Sequence, residues 1–148
     1  MEVPWSELHM HRHSVKDVLE DEVGLDNHVQ INGWVRSRRT SKGGFSFLSI
    51  HDGSCFDALQ VVADQTLPNY ESITEIATGT AVCVSGKIVQ SQGQGQAHEL
   101  RAEHVEIIGI VEDPESYPIA KKHHSFEYLR SVAHLRPRTN TFGAIARV

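Results

Sequence analysis

An all-β fold with five strands is predicted by three features of this sequence. Five segments are rich in β-branched and aromatic residues, and in several of them apolar residues alternate with other residues at the two-residue period of a strand. Only one helical pattern, over 67–79, interrupts the five segments. Turn residues, mainly Gly, Asp and Asn, separate the segments. A small sheet that closes on itself is the expected result.

The first half of the barrel is preceded by a short helix over 14–21. Ser14 followed by Asp17 is a helix-capping pattern, and Gly24 ends the segment. Strand one is predicted at 29–37 and strand two at 44–50. The turn His51-Asp52-Gly53 then leads into strand three at 56–62.

The second half begins with the helical segment 67–79, which Gly79 ends. Strand four is predicted at 81–89, and a loop rich in glutamine and glycine leads from it into strand five at 99–110. The inward phase of strand five shifts near Glu103 and His104, as a β-bulge would cause. Three strands, a helix and two strands are the order of the OB barrel. The predicted fold is therefore a five-stranded OB-fold barrel.

Strand periodicity separates core residues from surface residues in strands two and three. Leu48 and Ile50 share one face, which we assign to the core, so that Phe45 and Phe47 point outwards. The same phase turns Gln60 outwards in strand three. An exposed ring beside an amide can stack on a base and hydrogen-bond to its edge.

A cluster of cations lies directly before these aromatic residues. Between positions 36 and 42 the chain carries Arg36, Arg38, Arg39 and Lys42 and no acid. A basic loop next to exposed rings is typical of single-stranded nucleic-acid binding. Two simpler interpretations stay open: a Phe on a strand is more often a core residue, and an Arg-rich turn is often only solvated.

Composition narrows the functional classes. The net charge is −5, so a basic binding surface has to be local. The two cysteines have no CxxC spacing, which predicts neither a disulfide framework nor a zinc site and favours a reducing, cytoplasmic location. The sequence predicts no membrane span, no signal peptide, no catalytic residue and no metal ligand. The alternating His9, His11 and His13 fit a polar terminus better than a metal site.

Domain organisation follows from these patterns. We expect an N-terminal extension over 1–13, the barrel over 14–111 and a proline-containing hinge or linker over 112–140 with one short helical piece. Residues 141–148 have the pattern of the first turns of a helix, which we expect to begin a further domain.

Four segments together closely resemble the N-terminal part of the bacterial asparaginyl-tRNA synthetases, a class IIb aminoacyl-tRNA synthetase family. They are NGWVRSRRTSKGGFSFLSIHDGSCFDALQ, GKIVQSQGQGQAHEL, VEDPESYPIAKKHHSFEYLR and HLRPRTNTFGAIARV, and the similarity extends over about 15–148. It implies an anticodon-binding OB domain and a hinge, followed by a catalytic domain that attaches asparagine to tRNA with ATP and Mg²⁺.

The resemblance also implies roles for single residues and for partners. Phe47 would stack on a base, Gln60 would read the central anticodon uridine, and Arg39 would contact the anticodon loop. On charge alone, Arg36, Arg38 and Lys42 are candidates for phosphate contacts, and Phe45 is a competing candidate for the stacking ring. The implied partner is tRNA rather than DNA or a membrane, and the intact enzyme would be a homodimer. These 148 residues are expected to be inactive alone.

Three alternatives remain open from the sequence. The aspartyl-tRNA synthetases share the fold and the same stacking and reading pair. A general single-strand binder would tolerate any base sequence. A protein-interaction OB module would not bind RNA at all.

Overall fold

Five strands close into a barrel in residues 12–148, the part of the chain that this computed structural model describes. The strand order is β1-β2-β3-β5-β4, and β4 pairs back with β1. The elements are α1 (Val15–Leu19), β1 (His28–Thr40), β2 (Phe45–His51), β3 (Leu59–Asp64), α2 (Tyr70–Glu75), β4 (Ala81–Gln90), β5 (His98–Gly109), α3 (Phe126–Ser131), a 3₁₀ helix (Ala133–Arg138) and α4 (Asn140–Arg147). The predicted OB barrel, with one helix between strands three and four, is confirmed. His9 and His11, with most of the predicted extension 1–13, lie outside the described residues.

The barrel core follows the predicted alternation. Leu48 and Ile50 of β2 and Leu59 and Val61 of β3 are completely buried. In β2 their neighbours in sequence point to the other face, where Phe45 is exposed and Phe47, Ser49 and His51 are half-buried. The side chains left on the outer face are those that form the candidate site.

Helix α1 is held against one end of the barrel. Val15 and Val18 are buried in the core, and the predicted cap is present, because Ser14 Oγ accepts the Asp17 N–H and the Asp17 carboxylate accepts the Ser14 N–H. The Asp52 carboxylate also accepts the N–H of Val15 at 3.0 Å. The turn between β2 and β3 is thereby joined to the start of the helix.

Three β-bulges interrupt the strand pairing: one leaves Ile108 as the extra residue at the end of β5, and the other two lie inside β5 and β1. Glu103 is the extra residue of β5 where the register with β4 shifts, which confirms the predicted bulge. A second bulge, which the sequence did not predict, falls in β1 between Val35 and Ser37 and makes Arg36 the extra residue. A bulge bends its strand and re-aims the side chains around it.

The boundaries of the first and third strands differ from the prediction. β1 continues to Thr40, because 38–40 still pair with Ser46, Phe47 and Leu48 of β2. β3 begins at Leu59 rather than at position 56. Residues before it are held in a turn in which the Asp52 carboxylate accepts the backbone N–H and the hydroxyl of Ser54.

The segment after the barrel folds back onto it. Ile119 and Leu129 are buried, and the guanidinium of Arg147 donates to the carbonyl of Cys55 at 2.8 Å and to that of Gly53 at 3.3 Å. α4 confirms the helical pattern predicted near the C-terminus. No helix in residues 12–148 is long and apolar enough to cross a membrane.

Candidate nucleic-acid interface

An open groove of about 1090 Å³ runs across the outer face of β2 and β3. One wall is the β4–β5 loop, which carries Gln92, Gly93, Gln94, Gly95 and Gln96. Its other lining side chains include Arg39, Phe45, Phe47, Gln60, Glu99, Arg101 and Lys121. Cations, rings and amides thus share one concave surface.

Phe47 forms the middle of the groove floor and is held by its neighbours across the strands. It pairs with Arg39 of β1 on one side and with Val62 of β3 on the other. The guanidinium carbon of Arg39 lies 4.9 Å from the centre of the Phe47 ring, a cation–π arrangement. Phe45 lies two residues along the same face and is 37% exposed. The Arg39 contact restrains the Phe47 ring and places a positive charge over one of its faces.

Gln60 is oriented by a buried carboxylate. Its Nε2 donates to Glu99 Oε2 at 3.0 Å, and the hydroxyl of Ser91 donates to the same oxygen at 3.0 Å. Glu99 is 7% exposed, so its acceptor lone pairs require donors from the protein. The amide of Gln60 therefore cannot flip without losing its bond to Glu99, and its Oε1 and second N–H stay free for a ligand.

Gln96 attaches the β4–β5 loop to the start of β3. Its Oε1 accepts the backbone N–H of Gln60 at 3.0 Å, and its Nε2 donates to the carbonyl of Ala58. β3 and β5 share only the pairs Val61–Leu100 and Val62–Arg101, so the start of β3 pairs with β2 on one side but has no strand partner on the side that faces β5. The side-chain amide satisfies backbone groups that the sheet leaves unpaired.

The structure does not bring all predicted site residues together. Arg39, Phe45, Phe47 and Gln60 line the groove, whereas Arg36, Arg38 and Lys42 do not. Arg38 donates to the carbonyl of Ile76 at 3.1 Å and to Thr40 Oγ1 at 3.1 Å. Arg36, at the bulge, donates instead to Asn140 at the start of α4. The strand pairing therefore sends neighbouring arginines to different surfaces, and the assignment of Arg36, Arg38 and Lys42 as phosphate contacts stays a prediction.

Several groove residues were not predicted. Glu99, Gln96, Arg101 and Lys121 reach the groove from β5, the loop and the hinge. Glu99 lies 39 residues from Gln60 in the chain, so their hydrogen bond has no local signal. Alternation with the completely buried Leu100 assigns Glu99 to the outer face, so neither its burial nor its partner has a local signal in the sequence.

The arrangement is suited to unpaired bases. A ring on the floor gives a stacking surface, the fixed amide gives one donor and one acceptor, and Arg39 and Arg101 provide positive charge for phosphates. In the described residues no group of three His, Cys, Asp or Glu side chains is placed to hold a metal ion.

Comparison with known proteins gives a family match and close sequence relatives. The model of the OB-fold nucleic acid binding domain family, tRNA_anti-codon, matches residues 29–108, more than half of the chain. The chain is 58% identical over 135 residues to a protein of Klebsiella pneumoniae named asparagine–tRNA ligase, with 90% of this chain and 29% of that protein covered. It is 52% identical over 140 residues to the protein of that name from Hahella chejuensis, and this match covers 94% of this chain and 30% of that protein. The chain thus spans about three tenths of the length of these relatives.

Solved structures share the fold. The asparaginyl-tRNA synthetase of Pyrococcus horikoshii, complexed with asparaginyl-adenylate, superposes with a TM-score of 0.73 at 23% identity, covering 93% of this chain and 31% of that one. An aspartyl-tRNA synthetase of Entamoeba histolytica superposes with a TM-score of 0.73 at 16% identity, and this match covers 98% of this chain and 36% of that one. Likeness at such identities establishes the barrel alone.

Proposed function

This chain belongs to the OB-fold nucleic acid binding domain family, and on that premise we propose that it recognises the anticodon loop of asparagine tRNA. The chain would be the N-terminal, anticodon-reading part of an asparagine–tRNA ligase. The relatives that are 52% and 58% identical carry that name, which supports this choice over the aspartyl type.

One observation carries the proposal: Phe47, Arg39 and Gln60 meet on one groove floor, with the Gln60 amide held by Glu99. A flipped-out base would stack on the Phe47 ring, and Arg39 would face the adjoining phosphate. Phe45, at the rim of the same face, would contact the neighbouring nucleotide.

The fixed amide supports a preference for uridine. Uracil presents a donor at N3 and an acceptor at O4, while cytosine presents an acceptor at N3 and a donor at N4, the reverse order. A freely rotating amide can match either base. Because Gln60 Nε2 is tied to Glu99, only one order of donor and acceptor faces the base. Reading of the central anticodon uridine is the expected consequence.

The test is a titration of the chain with an RNA hairpin that carries the asparagine anticodon. The same hairpin with its central uridine changed to cytidine is the comparison. We expect the uridine hairpin to bind more tightly, and Phe47→Ala to weaken its binding about tenfold or more, since base–aromatic stacking contributes ~1–3 kcal/mol. Phe45→Ala should have a smaller effect.

Glu99→Gln separates reading from stacking. A glutamine at 99 can donate or accept, so it no longer fixes the orientation of the Gln60 amide. The variant should still bind the uridine hairpin but lose most of the preference over cytidine. Equal binding of both hairpins by the unaltered chain would favour a general single-strand binder, and absence of binding would favour a protein-interaction module.

The activity of the whole ligase is part of the same proposal. Such an enzyme would join asparagine to tRNA in the cytoplasm, with ATP and Mg²⁺ bound in its catalytic domain and as a homodimer. Nothing in residues 12–148 is assigned to ATP or to a metal ion. The role proposed for these residues is binding and orienting the tRNA.

A further inference from the structure

A second cationic cavity lies outside the groove, where the hinge segment meets the barrel. Its volume is about 440 Å³. Strand residues Arg36 and His51 form one side, and residues from the hinge and the start of α4 form the other. The charged and polar lining includes Arg36, Lys121, Lys122, Arg138, Thr139 and Thr141. Its described lining contains no aspartate or glutamate.

The arginines around this cavity form no salt bridge with any carboxylate in residues 12–148. Arg36 donates to the amide oxygen of Asn140, and Arg147 donates to backbone carbonyls. Arg138 lies over Trp34, with its guanidinium carbon 4.5 Å from the ring centre, and its Nη1 is 3.5 Å from His51 Nε2. In the described part of the chain none of these three forms a salt bridge with a carboxylate.

His51 reports the same excess of positive charge. Burial, followed by the charges of Arg138, Arg36 and Arg147, lowers its pKa to about 4, while Asp52 acts in the opposite direction. Asp52 lines an adjoining cavity with these arginines, but its carboxylate accepts the N–H groups of Val15 and Ser54 and forms no salt bridge with a described arginine. Like charges held together without a counter-ion are unfavourable, and a bound anion would offset that repulsion.

We propose that this cavity is a phosphate-binding site that is separate from the base-reading groove. Two guanidiniums with forked donors, two lysines and the Thr141 hydroxyl suit the several acceptor oxygens of a phosphate group, whereas the Thr139 hydroxyl donates to the Arg136 carbonyl. The phosphate belongs either to an RNA backbone or to a small phosphate compound. Lys121 lines both the cavity and the groove, so a strand bound in the groove has a cationic route to this site.

The test is an NMR titration of the 148-residue chain with inorganic phosphate at neutral pH. Sodium chloride at matched ionic strength is the reference, and the His51 ring and the Thr139 and Asn140 amides are the reporters. Saturable shifts with phosphate, absent with chloride, are expected. Arg138→Gln should weaken phosphate binding by roughly tenfold, the effect of losing a charge-assisted hydrogen bond.

Matched variants keep the result interpretable. Arg130→Gln removes an equal charge from an exposed position of α3 outside the cavity and should leave phosphate binding unchanged. Lys122→Gln alters an exposed side chain of the lining, with little risk to folding, and should weaken binding about two- to threefold. Equal shifts with chloride, or unchanged phosphate affinity in both Arg138→Gln and Lys122→Gln, would overturn the proposal.

Competition between an RNA hairpin and inorganic phosphate shows which kind of phosphate the site binds. If an RNA hairpin reverses the phosphate-induced shifts at His51, the site takes the RNA backbone; if both bind together, it takes a small phosphate compound. Phe47→Ala should not change the affinity for inorganic phosphate. Failure of anticodon recognition in the groove would therefore leave this site standing, and the reverse also holds.

Discussion

The contacts that a strand side chain makes in this protein depend on the face of the strand to which it points, not on its neighbours in sequence. Arg38 and Arg39 are adjacent, yet Arg39 packs over the Phe47 ring while Arg38 donates to the carbonyl of Ile76. Alternation along a strand sends the two to opposite sides. An arginine cluster in a sequence is therefore not evidence for one cationic surface when it lies on a strand.

His51 gives a prediction about pH at the scale of one residue. Its pKa is lowered to about 4 in the folded chain, whereas an unfolded histidine titrates near 6.5. Between these values the unfolded state binds more protons than the folded state, so the free energy of unfolding should fall as pH decreases from about 6.5 to about 4. Urea unfolding of the chain and of His51→Gln across this range measures the effect.

The difference between the two proteins isolates the contribution of His51. His51→Gln should show a shallower loss of stability over the same window, because it has no imidazole to protonate. Phosphate bound near Arg138 would raise the pKa of His51 and make the slope of the unaltered chain shallower too. Parallel curves for the two proteins would contradict the lowered pKa.

At the scale of elements, the β4–β5 loop depends on one glutamine for its position. Gln96 bonds to the backbone of Ala58 and Gln60, and Gln96→Ala removes both bonds at once. We expect faster hydrogen exchange at the Gln60 N–H, a loss of about 1 kcal/mol in stability, and weaker binding of the uridine hairpin.

Gln94→Ala is the matched control for that prediction. Gln94 lies in the same loop and lines the same groove, but its side chain is exposed and makes no hydrogen bond to another described residue. Its substitution should leave the exchange rate of Gln60 unchanged. If Gln96→Ala exchanges at the same rate as Gln94→Ala, Gln96 does not hold the loop.

The sequence predicted those elements whose cause is local. Alternation placed Phe45 and Phe47 outside and Leu48 inside, and a phase slip located the bulge at Glu103. The start of β3 was predicted three residues too early, because the chain there is held by the Asp52 turn and by α1.

Contacts between distant segments could not be predicted in this way. Gln60 and Glu99 are 39 residues apart, and Arg138 and His51 are 87 apart. No periodicity relates such pairs, since closure of the barrel and folding of the hinge bring them together. The outward position of Phe47 was therefore predictable from the sequence, while the contact between Gln60 and Glu99 was not.

At the scale of the whole molecule, charge is segregated although the net charge is −5. Positions 99–115 carry six acids and only Arg101 as a base, while 121–147 carry six bases and only Glu127 as an acid. Arg101 nevertheless faces the groove, on the same surface as Arg39 and Lys121. An RNA would be attracted to these cationic residues and repelled by the acidic residues of 99–115 outside the groove, which favours a single binding orientation.

The salt dependence of hairpin binding measures how many phosphates this path neutralises. The logarithm of the association constant should fall linearly with the logarithm of salt concentration, by about 0.7 per phosphate contacted on a single strand. Arg39→Gln and Arg101→Gln should each make the slope shallower by about 0.7, because each removes one counter-charge. Arg130 is an exposed residue of α3 that does not line the groove, so Arg130→Gln should change neither the affinity for the hairpin nor the salt dependence of binding. A flat slope in the unaltered chain would mean that phosphates are not held along this path and that stacking on Phe47 determines affinity. An equal change of slope in all three variants would mean that the attraction is general rather than specific to this path.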